Sequence, residues 1–221
     1  MKLYPVEQGS PAWVLAKVGV PSSSSFDKIL TPKTLKYSES AAKYAWTLIA
    51  EQLLNAPLDD SLASGFIARG KSMEAEALGW YELTENVDTV PGGFCVRDDR
   101  KAGASPDFFV GNDGVGEIKC PSAEIHIGYL LDDKGIGYRT QVQGQLWVCE
   151  REFCDTLSYH PAMPKALVRQ YRDDKFIAAL AAAINRFHEV MLDMKDKLHQ
   201  RYDLFSDEEF GALSLVQGGA Q

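Results

Sequence analysis

The sequence lacks several features that define other classes of protein. It has no run approaching the roughly 18 apolar residues of a membrane span, which predicts a soluble protein with no membrane partner. Its first ten residues, MKLYPVEQGS, contain one lysine and no apolar segment, so no secretory signal is predicted. Its four cysteines form no C-x-x-C pair. This argues against an iron–sulfur cluster and favours unpaired thiols in a reducing cytoplasm.

Basic residues are also scarce relative to acidic ones. There are 23 Lys and Arg against 31 Asp and Glu, which gives a net charge of −8. This balance argues against an indiscriminate nucleic-acid coat protein. It does not exclude an enzyme that acts on nucleic acid, because a local basic groove and a divalent metal can outweigh the global charge.

Hydrophobic spacing predicts helices first, short strands in the middle and mixed elements later. Serines 22–25 are predicted to cap a short additional helix. We therefore predict an α/β fold with a central mixed β-sheet flanked by helices, in one domain over residues 1–205 followed by a flexible tail over 206–221. The predicted helices cover about 13–17, 38–55, 62–84, 138–150 and 173–202, and the predicted strands lie within 87–121 and at 153–160 and 165–172.

The segment GASPDFFVGNDGVGEIKC, residues 103–120, predicts a β-hairpin. We expect a three-residue loop from Asn112 to Gly114, with Gly114 in the left-handed conformation. In that register Asp107 lies opposite Lys119 and diagonal to Glu117, and the period of two places all three on one face. One interpretation is a solvated sheet face with an Asp–Lys pair worth under about 1 kcal/mol. The other is a metal site.

The chemistry of these residue types suits Mg²⁺. Two close carboxylates repel each other unless a cation neutralises them, and Mg²⁺ is commonly bound by one or two carboxylates together with substrate phosphate. The backbone carbonyl of Ile118 offers a further hard oxygen ligand. The ammonium of Lys119 is placed to orient or help deprotonate a metal-bound water and to stabilise negative charge that develops on phosphorus.

Three further segments extend the pattern. Around the hairpin motif SPDFF…GEIKCP lie VEQGSPAWVLAKVG near the N-terminus, ARGKSMEAEA on a predicted helix and YRTQVQGQLWV on the helix after the hairpin. The hairpin matches the PD-(D/E)xK signature of metal-dependent nucleases. Together and in this order, over about residues 6–195, the segments resemble the phage lambda exonuclease-like viral recombinase (alkaline exonuclease) family. That family belongs to the PD-(D/E)xK nuclease superfamily.

The resemblance implies a restriction-endonuclease-like core and a catalytic site with five members. Asp107 and Glu117 resemble the metal-bridging carboxylates, assisted by the carbonyl of Ile118, and Lys119 resembles the catalytic lysine. Glu74 resembles a helix-borne carboxylate that helps hold the metals, in part through water, although in isolation it reads as a surface glutamate. Its distance from the ARG segment favours Glu74 over the neighbouring Glu76.

The helix after the hairpin supplies the fifth member. Gln141 resembles the glutamine that supports the attacking water and the lysine. Gln145, four residues later, shares the same helix face, whereas Gln143 is expected to point elsewhere. Tyr138, about one turn earlier, is expected to line the site.

The N-terminal segment resembles the part of the family that binds the 5′-terminal phosphate of duplex DNA. Lys17 takes the position at which the family has a basic residue, and Ser22 and Ser24 supply hydroxyl groups. Lysine stands where arginine is expected, and it neutralises a phosphate without the bidentate geometry of a guanidinium. The serines also read as a helix cap, which is compatible with anion binding because helix N-termini attract anions.

For function, the resemblance implies a 5′→3′ exonuclease that degrades one strand of linear double-stranded DNA and leaves 3′ single strands for recombination by strand annealing. It implies two Mg²⁺ ions, for which Mn²⁺ substitutes, and a ring-shaped homotrimer threaded by DNA. It also implies a single-strand annealing protein as partner and a bacterial or phage-infected cytoplasm. Two alternatives stay open: an endonuclease or single-strand nuclease of the repair or restriction type, and a non-catalytic scaffold that binds DNA ends.

Overall fold

The computed structural model describes residues 1–58, 66–132 and 138–204, with the side chains of one helix described from Met73 onward. A 3₁₀ helix covers Ser23–Lys28. The α-helices are α1 (Pro11–Lys17), α2 (Ala41–Leu54), α3 (Phe66–Glu85), α4 (Ala123–Leu131), α5 (Arg139–Cys149) and α6 (Asp174–Tyr202). The strands are β1 (Lys2–Tyr4), β2 (Leu30–Thr31), β3 (Lys36–Tyr37), β4 (Thr89–Pro91), β5 (Phe94–Val96), β6 (Gly103–Ala104), β7 (Phe108–Val110), β8 (Gly114–Lys119), β9 (Phe153–Ser158) and β10 (Ala166–Tyr171).

Five strands form a central sheet in the order β10-β9-β8-β7-β4. The neighbours β8 and β9 run parallel, and the other three pairs are antiparallel. A parallel pair needs a long crossover connection, and here the connection contains α4 and α5. Two smaller sheets, β1-β5-β6 and β2-β3, lie outside the central one. The mixed sheet flanked by helices confirms the predicted α/β fold.

Strand β8 is buried on both faces, and its alternating side chains enter two different cores. Val115 packs in the larger core, which includes residues of α2, α5 and α6. Ile118 packs in the second core together with Ala77 and Tyr81 of α3. Because side chains alternate along a strand, Glu117 shares the face of Val115 and therefore points toward α5.

The hairpin register differs from the predicted one by two residues. Val110 pairs with Gly114, so the loop consists of residues 111–113, and Gly111 rather than Gly114 takes the left-handed conformation, with φ of 55°. A side chain at Gly114 would meet Val110 and Phe153 at 2.4 Å, so this glycine is required by close packing within the sheet. Asp107 consequently lies beside Glu117 and not opposite Lys119.

The shift does not change which face the residues occupy. A displacement of two residues preserves the alternation of side chains, whereas a displacement of one would have reversed it. Phe108 pairs with Gly116, and the backbone N–H of Asp107 donates to the carbonyl of Gly116 at 2.9 Å.

Several helix predictions are confirmed with small changes of boundary. The serine segment forms a 3₁₀ helix instead of an α-helix, and Ser22 begins it without a capping hydrogen bond from its side chain. Most of the buried residues of α6 lie in the main core with residues of α2 and α5, as expected for an intramolecular helix. The predicted start of the third helix, residues 62–65, and the predicted tail, 206–221, lie outside the described residues. The domain division therefore stays a prediction. No described helix is both long and apolar enough to cross a membrane.

Candidate active site

The candidate site lies where the hairpin β7–β8 faces the N-terminal half of α5. Asp107 directly precedes β7, while Glu117 and Lys119 lie on β8. The carboxylate of Asp107 accepts a hydrogen bond from the backbone N–H of Ile118 at 2.5 Å. This contact ties the side chain of Asp107 to the neighbouring strand.

Glu117 is the centre of the polar network. The residue is only 5% exposed, and both of its carboxylate oxygens accept hydrogen bonds. Oε1 accepts from Lys119 Nζ at 2.5 Å and from Gln141 Nε2 at 2.7 Å. Oε2 accepts from Gln145 Nε2 at 2.5 Å. The structure thus brings Glu117, Lys119 and Gln141 together as the sequence predicted and adds Gln145.

The carboxyl of Asp107 is perturbed by its burial and by its neighbours. Burial, followed by the negative charge of Glu117, raises the pKa of Asp107 well above its ordinary value, and Glu74 contributes a smaller repulsion. Burial opposes the charge on Lys119, but the carboxylates of Glu117 and Asp107 outweigh it, so the pKa of this ammonium is raised. The site therefore concentrates negative charge that Lys119 only partly neutralises.

Tyr138 borders this cluster. Its ring lies 4.9 Å from Lys119 Nζ, and its hydroxyl shares a 2.7 Å hydrogen bond with the hydroxyl of Tyr129 on α4. Tyr138 has a φ of 30° and immediately precedes α5, an uncommon conformation for a residue other than glycine. The predicted position of Tyr138 beside the site agrees with this arrangement.

The two glutamates of α3 differ in their surroundings. Glu74 is exposed and lies close enough to Asp107 to raise the pKa of that carboxyl. Glu76 accepts a hydrogen bond from the hydroxyl of Tyr159 at 3.1 Å. The preference for Glu74 over Glu76 is therefore compatible with the structure, and a role for Glu74 through water stays a prediction.

The oxygen donors suit a hard divalent cation. Asp107 and Glu117 present carboxylates, and Ile118 between Glu117 and Lys119 has a carbonyl oxygen of the kind that Mg²⁺ accepts. Among the described residues, no group of three His, Cys, Asp or Glu side chains is arranged to hold a metal ion.

A second feature is a cavity of about 530 Å³ between α1, the 3₁₀ helix and α2. It brings together the three residues that the sequence predicted for phosphate binding. Lys17 Nζ lies 3.7 Å from the ring centroid of Trp13, and the hydroxyls of Ser22 and Ser24 are 3.1 Å apart. Its wall also contains Ser25, Lys28, Ser40, Lys43, Tyr44, Thr47 and Glu51.

Helix α5 joins the cavity to the candidate catalytic site. A side chain at Gly144 would meet the ring of Phe26 at 2.5 Å and Ser23 at 3.1 Å, so the 3₁₀ helix packs directly on the backbone of α5. Gly144 immediately precedes Gln145 in the sequence. The serine segment and the glutamines of the polar network are therefore held by the same helix.

Sequence reasoning did not assign three residues that the structure places at these sites. Gln145 was expected to share the face of Gln141, and that helical spacing was the signal for its contact with Glu117. Lys28 and Lys43 enter the cavity from the 3₁₀ helix and from α2. No motif marks them, because their convergence depends on how these helices pack.

Gln143 is oriented away from the site, as predicted. Its amide nitrogen donates to the carbonyl of Tyr171 at 2.9 Å, and its amide oxygen accepts from the backbone N–H of Asp173 at 2.8 Å. It connects α5 to the start of α6.

Solved structures share this fold. An alkaline exonuclease (LHK-Exo) from Laribacter hongkongensis is 24% identical, with a TM-score of 0.75 over 87% of this chain and 97% of that one. LHK-Exo in complex with dAMP gives 26% identity and a TM-score of 0.77 over the same shares. A phage related exonuclease from Haemophilus somnus 129PT is 14% identical, with a TM-score of 0.66 over 81% of this chain and 96% of that one.

Comparison with curated proteins finds no match. The profile of the YqaJ-like viral recombinase domain matches residues 12–152. This range contains the residues that line the cavity, the hairpin β7–β8 and α5. The resemblance inferred from the four sequence segments is thereby confirmed. This chain belongs to the YqaJ-like viral recombinase domain family.

Proposed function

We propose that this protein is a Mg²⁺-dependent exonuclease that degrades one strand of linear duplex DNA from its ends in the 5′→3′ direction. The nuclease class is supported by the family match and by the fold shared with solved alkaline exonucleases. DNA as substrate agrees with the dAMP complex of LHK-Exo, since dAMP is a deoxynucleoside monophosphate.

The observation that carries the proposal is the convergence of Asp107, Glu117, Lys119 and Gln141. The hairpin places two carboxylates and a lysine close together, which concentrates charge at one point. A glutamine from α5 donates a hydrogen bond to one of these carboxylates. On a solvated sheet face, Glu117 would be exposed to water, whereas here it is buried and accepts hydrogen bonds from three described side chains. The solvated-face interpretation of the hairpin therefore fits the structure poorly.

The electrostatics of the site favour a bound cation. The raised pKa of Asp107 reports a buried carboxyl beside other negative charges, and a cation between these carboxylates would relieve that repulsion. We propose that Asp107, Glu117 and the carbonyl of Ile118 bind Mg²⁺, with Glu74 assisting through water. Two ions are expected, and Mn²⁺ is expected to substitute. When bound, the metal supplies an activated water and neutralises the charge of the scissile phosphate.

Lys119 acts in this proposal mainly as a cation. Its raised pKa keeps the ammonium protonated at neutral pH in the metal-free protein, so it is suited to stabilise negative charge on the reacting phosphate. Gln141 positions that ammonium, because its amide oxygen lies 3.5 Å from Lys119 Nζ while its amide nitrogen binds Glu117. Tyr138 borders the ammonium on another side.

We assign the lysine- and serine-lined cavity to the 5′-terminal phosphate. Lys17, Ser22 and Ser24 meet there, and Lys28 and Lys43 add positive charge. A terminal phosphate monoester has more negative charge than an internal phosphodiester, so several ammonium groups favour an end over the middle of a strand. This cavity also gives an acidic protein a local basic site for DNA.

Linear duplex DNA with different ends tests the activity. With Mg²⁺, we expect rapid degradation of 5′-phosphorylated ends, slower degradation of 5′-hydroxyl ends and no cutting of covalently closed circles. Labelling each strand separately would give the direction of cleavage, and omission of Mg²⁺ with chelator present is the control. Cutting of closed circles would favour an endonuclease, and binding of ends without cleavage under all metal conditions would favour a scaffold.

Substitution of Lys17 tests the phosphate cavity. Lys17→Ala is expected to lower kcat/KM on 5′-phosphorylated ends about tenfold or more, since a hydrogen bond to a charged group contributes about 1.5–3 kcal/mol. Activity on 5′-hydroxyl ends should change little. The matched control is Lys33→Ala, which removes an exposed lysine in the turn between β2 and β3. Equal losses on both kinds of end would contradict the assignment.

Assembly and partners also belong to the proposal. We infer a homotrimeric ring that encloses DNA, and a single-strand annealing protein that receives the 3′ strand in a bacterial or phage-infected cytoplasm. Light scattering of the purified protein tests the trimer, whose mass would be three times 24.4 kDa.

A further inference from the structure

Gln145 contacts the candidate metal site from inside the protein core. It lies on α5, one turn after Gln141, and is fully buried at 0% exposure. Its amide nitrogen donates to Oε2 of Glu117 at 2.5 Å. Because Gln145 has no exposed surface, it does not touch DNA directly, and its contact with the candidate metal site is the hydrogen bond to Glu117.

The hydrogen bonds that Glu117 accepts from the described residues leave one lone pair of its carboxylate unused. An ionised carboxylate offers about four lone pairs, two on each oxygen. Oε1 uses both of its lone pairs for Lys119 and Gln141. Among the side chains that the structure describes, Oε2 accepts from Gln145 alone and so retains one lone pair. The arrangement therefore holds the carboxylate in a single orientation and leaves Oε2 able to accept one further bond.

The orientation of the Gln145 amide is itself controlled. Cys154 on β9 donates from its Sγ to the amide oxygen of Gln145 at 3.6 Å. Burial, followed by the charge of Glu117, raises the pKa of this thiol well above its ordinary value, so it stays protonated and available as a donor. With its oxygen facing Cys154, the amide presents its N–H groups to the carboxylate. The reversed amide would place oxygen against oxygen.

We propose that Gln145 is a positioning residue that fixes Glu117 as a metal ligand through Oε2, with Cys154 setting the orientation of the Gln145 amide. This inference rests on the proposed function, because it takes Glu117 to bind Mg²⁺. Residues that hydrogen-bond to a metal ligand commonly determine the orientation of that ligand and its affinity for the metal. Their loss weakens metal binding or activity about 10- to 100-fold.

The test is metal binding in the absence of DNA. Gln145→Leu replaces the amide by a buried apolar side chain of comparable volume and removes the donor to Glu117. We expect its affinity for Mn²⁺, measured from the electron paramagnetic resonance signal of the free ion, to fall about 10- to 100-fold. Mg²⁺-dependent cleavage at low metal concentration should fall in parallel, and high metal concentration should restore part of it.

Gln143→Leu is the matched control. It removes a buried glutamine from the same helix, one that binds the start of α6 and not Glu117. We expect a lower unfolding temperature for this variant with unchanged Mn²⁺ affinity, which separates general destabilisation from an effect on the site. Cys154→Ala provides a second approach if Gln145→Leu does not fold: it leaves Gln145 in place and should weaken Mn²⁺ binding by a smaller factor.

The outcomes distinguish this inference from the proposed function. Suppose that the wild-type protein binds Mn²⁺ and cleaves DNA. If Gln145→Leu then binds Mn²⁺ with wild-type affinity, the positioning role is wrong and the function stands. The same holds for Cys154→Ala if Gln145→Leu does not fold. If the wild-type protein neither binds the ion nor cleaves DNA, the function and the inference both fail.

Discussion

Replacement of Lys119 by alanine is expected to lower the rate of DNA cleavage at saturating Mg²⁺ by at least about 100-fold, the usual effect of removing one group that stabilises the charge of a transition state. Lys119 is the cation that contacts Glu117, and its raised pKa keeps it charged. Without it, the phosphate would meet two carboxylates and less opposing positive charge. Single-turnover cleavage of 5′-phosphorylated duplex DNA measures the effect.

The fold should survive this substitution. Glu117 would still accept hydrogen bonds from Gln141 and Gln145, so the buried carboxylate would keep two of its three donors. A circular dichroism spectrum and a cooperative thermal transition would verify this. Lys197→Ala, which removes an exposed lysine paired with Asp193 on α6, is the control for loss of a positive charge elsewhere. Near wild-type turnover by the Lys119 variant would refute the site.

Asp107 provides a second test of the same site. Asp107→Ala should also abolish measurable cleavage, and Asp107→Asn should do so while keeping an oxygen that accepts from the backbone N–H of Ile118. Because both changes remove a repelling carboxyl, we expect neither to unfold the metal-free protein. Retention of cleavage by the asparagine variant would show that the Asp107 carboxylate is not a metal ligand.

The largest expected effect on stability belongs to Asp155, which lies outside the candidate active site. Asp155 is 1% exposed on β9 and accepts hydrogen bonds from Arg169 Nε and a terminal guanidinium nitrogen at 2.7 and 2.6 Å. The hydroxyl of Tyr81 on α3 donates to the same carboxylate at 2.6 Å. One buried charge thus connects the paired strands β9 and β10 to the helix on that face of the sheet.

Asp155→Ala is expected to lower the free energy of unfolding by about 2–3 kcal/mol, measured by urea denaturation. Breaking a buried ion pair typically costs about 3–5 kcal/mol. We expect less here because the Arg169 side chain is 40% exposed, and water would solvate its guanidinium after the change.

Two comparisons calibrate the effect of Asp155. Tyr81→Phe removes one hydrogen bond to the carboxylate while keeping the ring packed on Phe108, and should cost about 1–2 kcal/mol. Asp193→Ala removes an exposed pair on α6 and should cost less than about 0.5 kcal/mol. If Asp155→Ala were no more costly than Asp193→Ala, the buried network would not contribute to stability.

The local elements were predictable because their signals are local. The apolar spacing of residues 173–202 matches α6, and the Gly-, Asp- and Pro-rich region after α3 folds as the strands expected there. The period of two along β8 was enough to place Glu117 and Lys119 on one face. Recognition of the family required no contact information either, since it depended on four motifs in order.

The hairpin shows the limit of such signals. The loop sequence contains Gly111 and Gly114, and either glycine suits a left-handed position. Packing decided between them, because Gly114 lies beneath Phe153 from a strand almost forty residues away. The prediction of the face survived this error, since the actual register differs by an even number of residues.

The sequence by itself determined the class of fold and the family, and it predicted the residue types of the candidate site: three carboxylates, a lysine and a glutamine in a fixed order. Only the tertiary structure decided that Gln145 donates to Glu117 and that Cys154 donates to Gln145. It also decided that Lys28 and Lys43 line the same cavity as Lys17. In the same way, it brought Arg169 and Tyr81 into contact with Asp155. The physical reason is range. Periodicity and turn chemistry act over a few residues, whereas hydrogen bonds and charges act between residues that packing brings together from distant parts of the chain.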